Sequence, residues 1–136
     1  MIPAALAVAA LSMTTPGQAA PGPAAPLPPD LAAVWKDFLA TLRADDPAAL
    51  AKVTRFPLRS NEFGGPVKDA AMLKQRWGRF FPADRKAGLL RAPLERTEGA
   101  KDTFEAFTDA GGLPIRFLFT RTKAGWRFSA VDNINE

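Results

Sequence analysis

The chain has 136 residues, a net charge of +4, and no histidine, cysteine or tyrosine. Those absences remove the usual zinc ligands, the histidine base, the thiol nucleophile and the phenolic acid, which excludes Ser-His-Asp and Cys-His chemistry within one chain. Any catalysis would have to run on Asp, Glu, Lys, Arg, Ser or Thr, and nothing in the composition implies a cofactor or a metal.

Charge divides the chain. Residues 1–29 carry no charged side chain, and all 18 basic and 14 acidic residues follow them. Residues 2–13 are an apolar run of Ala, Leu and Val with the length of a secretory signal core, too short to cross a bilayer as a helix. Gly17 and Ala19 supply the small side chains that signal peptidase requires, so residues 1–19 read as a signal peptide with Ala20 first in the mature chain. Gly22 and Ala24 offer a second cut. No Lys or Arg precedes the run: either the α-amino group is the only positive charge there, or the true start lies upstream. The plainer alternative is an Ala/Pro tail on a cytosolic protein, but such a tail needs no Ala/Leu/Val block. The expectation is a periplasmic or secreted protein with no transmembrane helix. Residues 20–29 are an Ala/Pro-rich spacer, and residues 30–136 suffice for one domain and are too few for two.

Asp30 is expected to cap a first helix whose stripe is Leu31, Val34, Trp35, Phe38, Leu39 and Leu42. Asp46-Pro47 reads as cap and first residue of a short second helix, with Leu50 and Val53 inward. Phe56-Pro57-Leu58 opens an extended piece that Pro57 confines to an edge or a strand start. Residues 61–66, containing Gly64-Gly65-Pro66, are a turn. Asp69 caps a third helix with Ala70, Leu73, Trp77, Phe80 and Phe81 on one face, and Pro82 ends it. Residues 89–94 and 103–108 are expected strands. Residues 114–122 alternate Ile115, Phe117 and Phe119 against Arg116, Leu118 and Thr120. A Lys123-Ala124-Gly125 turn follows, and then Trp126, Phe128 and Ala130 alternate with Arg127, Ser129 and Val131, which predicts a hairpin with one face in the core. Helices first and antiparallel strands last predict an α+β domain.

In that order the elements resemble the NTF2-like superfamily, the cystatin-like α+β roll. The resemblance is carried by Trp35-x-x-Phe38-Leu39, Asp45-Asp46-Pro47-x-x-Leu50, Phe56-Pro57-Leu58, the Asp69 to Phe81 helix and the hairpin from Ile115 to Asn133. It implies N-terminal helices packed on a curved antiparallel sheet, with a cone-shaped pocket between them. Members of the superfamily use that pocket for isomerisation, dehydration, epoxide hydrolysis, ligand carriage or protein binding. Fold alone does not choose among these. The steroid-isomerase branch needs a tyrosine and the dehydratase branch needs histidines, and this chain has neither.

The candidate ligand-binding residues are Arg59, Trp77, Arg116 and Asp132. Arg59 stands where a strand enters the cone and has a planar fork for an anion; an exposed edge arginine is the alternative. Arg116 faces away from the apolar layer of its strand, toward water or a partner chain. Trp77, with Trp35 and Trp126, is either pocket lining or plain core. Asp132 ends the last strand and either points at a ligand or forms a turn. Six basic residues between Lys74 and Arg91, against Asp84 alone, suit an acidic partner or anionic lipid, or else a solvated helix face. No basic motif interleaved with aromatics points to nucleic acid. The first expectation is a non-enzymatic domain binding a small apolar or anionic ligand, or a protein partner, through its cone or sheet face. Homodimerisation through an exposed Leu118 is a further expectation. The alternatives are an isomerase, dehydratase or hydrolase that uses Glu62, Glu105, Asp109 or Asp132 as a desolvated base, and an envelope interaction module acting through the basic stretch.

Overall fold

The computed structural model describes residues 26–135, so the signal peptide expected over 1–19 and most of the spacer expected over 20–29 lie outside the described residues. The helices are α1 (Pro29–Ala44), α2 (Pro47–Ala51), α3 (Ala70–Gln75), α4 (Trp77–Phe80) and α5 (Ala83–Arg91), and the strands are β1 (Thr54–Ser60), β2 (Glu95–Arg96), β3 (Thr103–Thr108), β4 (Ile115–Thr122) and β5 (Gly125–Asn133). One curved five-stranded sheet runs β1-β5-β4-β3-β2. Pairing is antiparallel except where β1 lies parallel to β5. With helices packed against the inner face, this is the α+β architecture that the order of elements predicts.

Local chemistry explains most of the boundaries. Asp46 accepts the Ala49 N–H at 3.1 Å with Pro47 as first helical residue, and Asp69 accepts the Met72 N–H at 2.9 Å. Each satisfies an orphan donor at a helix start. Asp30 does not cap α1. Pro28 holds that position, Pro29 is the first helical residue, and the Asp30 carboxylate accepts from Leu31 N–H instead. Proline needs no capping partner there, because it has no N–H to satisfy. The third predicted helix is broken at Arg76, whose φ of −100° separates α3 from α4.

Residues 89–94 are not a strand. Leu89 and Leu90 belong to α5, which starts directly after Pro82 and buries Arg85 and Leu89 one turn apart. Leu94 is buried, and only Glu95 and Arg96 pair with β3.

Phe38 sits at the centre of the core. Its ring stacks on Trp35 at 5.4 Å and meets Phe119 at 5.0 Å and Phe128 at 5.2 Å edge-on. Phe81 stacks on Phe117 at 5.8 Å. Such pairs add about 0.5–1.5 kcal/mol each beyond the area they bury. Phe38, Phe80, Phe81, Phe117, Phe119 and Phe128 are all buried, so aromatic rings crowd the interior where the resemblance implies a cone-shaped pocket.

The expected alternation of the last strand changes parity halfway. Leu118 pairs with Ala130 but Phe119 pairs with Phe128, which leaves Ser129 as an extra residue in a β-bulge. Beyond the bulge Val131 joins Phe117 in the core, and Ala130 joins Leu118 on the outer face. Leu118 is only 7% exposed. The exposed leucine expected to drive dimerisation is therefore not available. Phe107, on the same outer face, is a large apolar side chain left 44% exposed.

Candidate functional site

The same bulge shapes the outer face of the sheet. Thr54 of β1 is registered with Phe128, but Arg59 is registered with Ala130, so Arg55, Phe56, Pro57 and Leu58 together face Ser129 alone. Pro57 has no N–H to give to a ladder, and the Phe56-Pro57 peptide is cis. The strand bows away from its neighbour, and its alternation leaves Arg55, Pro57 and Arg59 exposed while Leu58 is buried. The result is a groove of ≈ 400 Å³ lined by Arg55, Pro57, Arg59, Pro66, Thr120, Ser129 and Ala130. Its floor is polar at one point. The Thr120 and Ser129 hydroxyls share a 2.7 Å hydrogen bond, and Ser129 Oγ also donates to Leu118 O at 3.3 Å.

Three of the four predicted binding residues meet at the edge of this groove. Asp132 Oδ1 accepts from Arg59 Nη1 at 3.1 Å, and its Oδ2 lies 3.6 Å from Arg116 Nη2. Arg116 is the direct cross-strand partner of Asp132. Its Nη1 donates to Glu105 Oε1 at 3.4 Å, and Glu105 Oε1 also accepts from Thr97 Oγ1 at 3.0 Å. Arg116 is held by carboxylates on both neighbouring strands while its side chain stays 33% exposed, and its Nε is buried without a hydrogen-bond partner. Arg59 is the exposed member: its side chain is 64% exposed, against 13% for Asp132. It also lines a second depression of ≈ 500 Å³ with Arg116, Asp132 and Asn133. An incoming anion can take Arg59 without stripping Asp132 of both its cationic partners.

Trp77 belongs elsewhere. Its indole N–H donates to Asp45 Oδ1 at 3.1 Å and its ring lies 4.7 Å from Phe81, in the helical layer. Lys86 also donates to Asp45 Oδ1. These two bonds, Lys86 first, hold the Asp45 carboxyl below its ordinary value. The Asp45-Asp46 pair is thus helix-end chemistry, Asp45 closing α1 in a left-handed conformation and Asp46 opening α2.

The carboxylates expected as a base do not enter the aromatic interior. Glu105 and Asp132 pair with Arg116 on the outer face, Glu62 Oε2 accepts from Asn133 Nδ2 at 2.8 Å, and Asp109 is exposed at the end of β3. Asp132-Asn133 is no free turn either: Asn133 N–H donates to Asn61 Oδ1 at 2.7 Å, locking the strand end to the turn after β1. Among the described residues no group of three or more acidic side chains gathers as a metal site would require.

Arg55, Thr120 and Ser129 are groove residues that the sequence reading missed. Two signals could have found them: Arg-x-Pro-x-Arg places both arginines and the proline on one strand face, and the run Ala130-Val131 breaks strict alternation beside Ser129.

No protein-family model matches the chain, and no curated protein matches it. Among solved structures it is similar to an NTF2-like protein of unknown function from Shewanella oneidensis, at 12% identity and TM-score 0.46, over 76% of this chain and 94% of that one. It is also similar to a Shewanella frigidimarina protein provisionally assigned as a ketosteroid isomerase, at 12% identity and TM-score 0.47, over 76% and 93% of the two chains. A third, from Nostoc punctiforme, has a cystatin-like fold and unknown function, at 13% identity and TM-score 0.46, over 76% and 86%. These likenesses concern the fold. The architecture itself stands on the element order and strand pairing above.

Proposed function

We propose that this chain is an exported, non-enzymatic binding domain that takes a small ligand with an anionic group and an apolar body in the groove between β1 and β5. The bowing of β1 away from Ser129 carries this reading. It opens a space with Arg55 and Arg59 at its rim, hydroxyls at its floor and Pro57, Pro66 and Ala130 as apolar wall. Guanidinium forks suit carboxylate and phosphate groups. The paired or exposed state of the four acidic candidates supports binding over acid–base catalysis. The uncharged stretch over residues 1–29 supports export.

Native mass spectrometry on protein recovered from the envelope fraction of its own host tests this. A processed chain carrying a discrete extra mass, absent from Arg59→Gln, is the expected result. An empty wild-type chain would count against a small ligand. Phe107, exposed on the same sheet face opposite Arg116, favours a protein partner as the second reading, and an empty chain held in a larger complex would support it.

A further inference from the structure

The basic stretch from Lys74 to Arg91 does not form one solvated face. Lys86 is paired with Asp45, Arg85 is buried at 6% exposure, and Arg76 and Arg79 turn toward the loop over residues 61–66. Gly64, at φ 95°, lies beneath both. A Cβ there would come within 3.2 Å of Arg76 Cζ and 3.2 Å of Arg79 Nη1. Both guanidinium groups therefore border the same point above Gly64. Among the described residues neither makes an ion pair with a carboxylate.

The cluster is built rather than incidental. Arg76 Nη1 donates to Gly65 O at 2.8 Å and Pro66 O at 3.3 Å, which fixes its fork against the turn. Arg85 lies below, its guanidinium 4.6 Å from the centre of the Phe63 ring, with Nη1 donating to Arg79 O at 2.8 Å and Phe80 O at 3.0 Å. That anchors the backbone carrying Arg79 to the turn carrying Gly64. Glu62, the acidic residue of this turn, accepts at Oε2 from Asn133 Nδ2.

We infer that Arg76 and Arg79 form an anion site over Gly64 for a phosphate-type oxyanion, separate from the groove between β1 and β5. Two cations bordering one point repel, and a bound dianion reverses that balance. Two planar forks around one point suit a tetrahedral group with several acceptor edges better than a carboxylate with one. Arg85 is a positioning residue, acting through the α4 backbone.

The experiment is a titration of the full chain with inorganic phosphate at constant ionic strength, read on the arginine Nε–H resonances by NMR. Saturable shifts of Arg76 and Arg79 are expected, weakened about tenfold or more in Arg79→Gln and unchanged in Arg59→Gln. Arg79 is exposed, so the amide spectrum of Arg79→Gln should remain that of the folded chain. Arg79→Lys, which keeps the charge and loses the fork, provides a second variant and should weaken binding severalfold. Linear, non-saturating shifts, or equal affinity in wild type and Arg79→Gln, would overturn the site. If saturable, Arg79-dependent binding is found, phosphatidylglycerol vesicles then separate the two sources. Co-sedimentation that depends on Arg79 assigns the phosphate to a lipid headgroup, and its absence assigns a soluble phosphate.

Discussion

Asp45 shows how much chemistry one side chain can hold at a helix end. Its carboxylate accepts from Lys86 and from the Trp77 indole, so its charged form is favoured in the folded chain. A carboxylate with a lowered folded pKa contributes stability above its ordinary value of 3.8 and loses that contribution as pH falls through the lowered one. Asparagine tolerates the left-handed backbone there, so Asp45→Asn should lower the urea midpoint at pH 7, and the gap to wild type should close as pH falls below the lowered value. A gap of equal size at both pH values would mean that the ion pair is not the cause. Asp45 was legible in the sequence only as half of Asp45-Asp46-Pro47. Its partners lie 32 and 41 positions away, and local pattern carries no such information. Arg85 was illegible for the opposite reason. A charged run reads as solvated, and only the break at Pro82 turns this arginine inward to serve the carbonyls that end α4.

The helices and strands were legible wherever punctuation was chemical. The caps Asp46 and Asp69, the turn at Gly64-Gly65 and the final hairpin lie where capping, glycine and alternation place them. Asp69 is exposed, and its one capping bond satisfies Met72 N–H. Asp69→Ala should therefore cost about 1 kcal/mol in urea denaturation, with an unchanged slope. A neutral substitution would show that tertiary packing of Leu73, and not the cap, fixes the start of α3. Two elements misled. The apolar run from Leu89 onward is too short for periodicity to separate strand from helix, and packing of Leu89 against the core decided for helix. The bulge at Ser129 is a property of three strands together, since β1 and β4 both skip that residue. No single strand's pattern shows it.

The molecule as a whole keeps the order of elements that its sequence implies and moves the available space from inside the sheet to outside it. The cone interior is occupied by Phe38, Phe117, Phe119 and Phe128, whose mutual contacts leave the core closed by aromatic rings. The opening lies where β1 bows away from β5, beside the Arg59–Asp132–Arg116 array. Arg59, Arg116 and Asp132 were each visible in the sequence as candidates; that they share one face depended on strand register, which alternation specifies only up to the bulge. The most direct test is a backbone amide titration with octanoate, a monoanion with an apolar tail. Saturable shifts at Thr120, Ser129 and Ala130 that vanish in Arg59→Gln are the expected result. Shifts centred on Phe38 and Phe117, or a groove response that survives the loss of Arg59, would contradict the outer-face site.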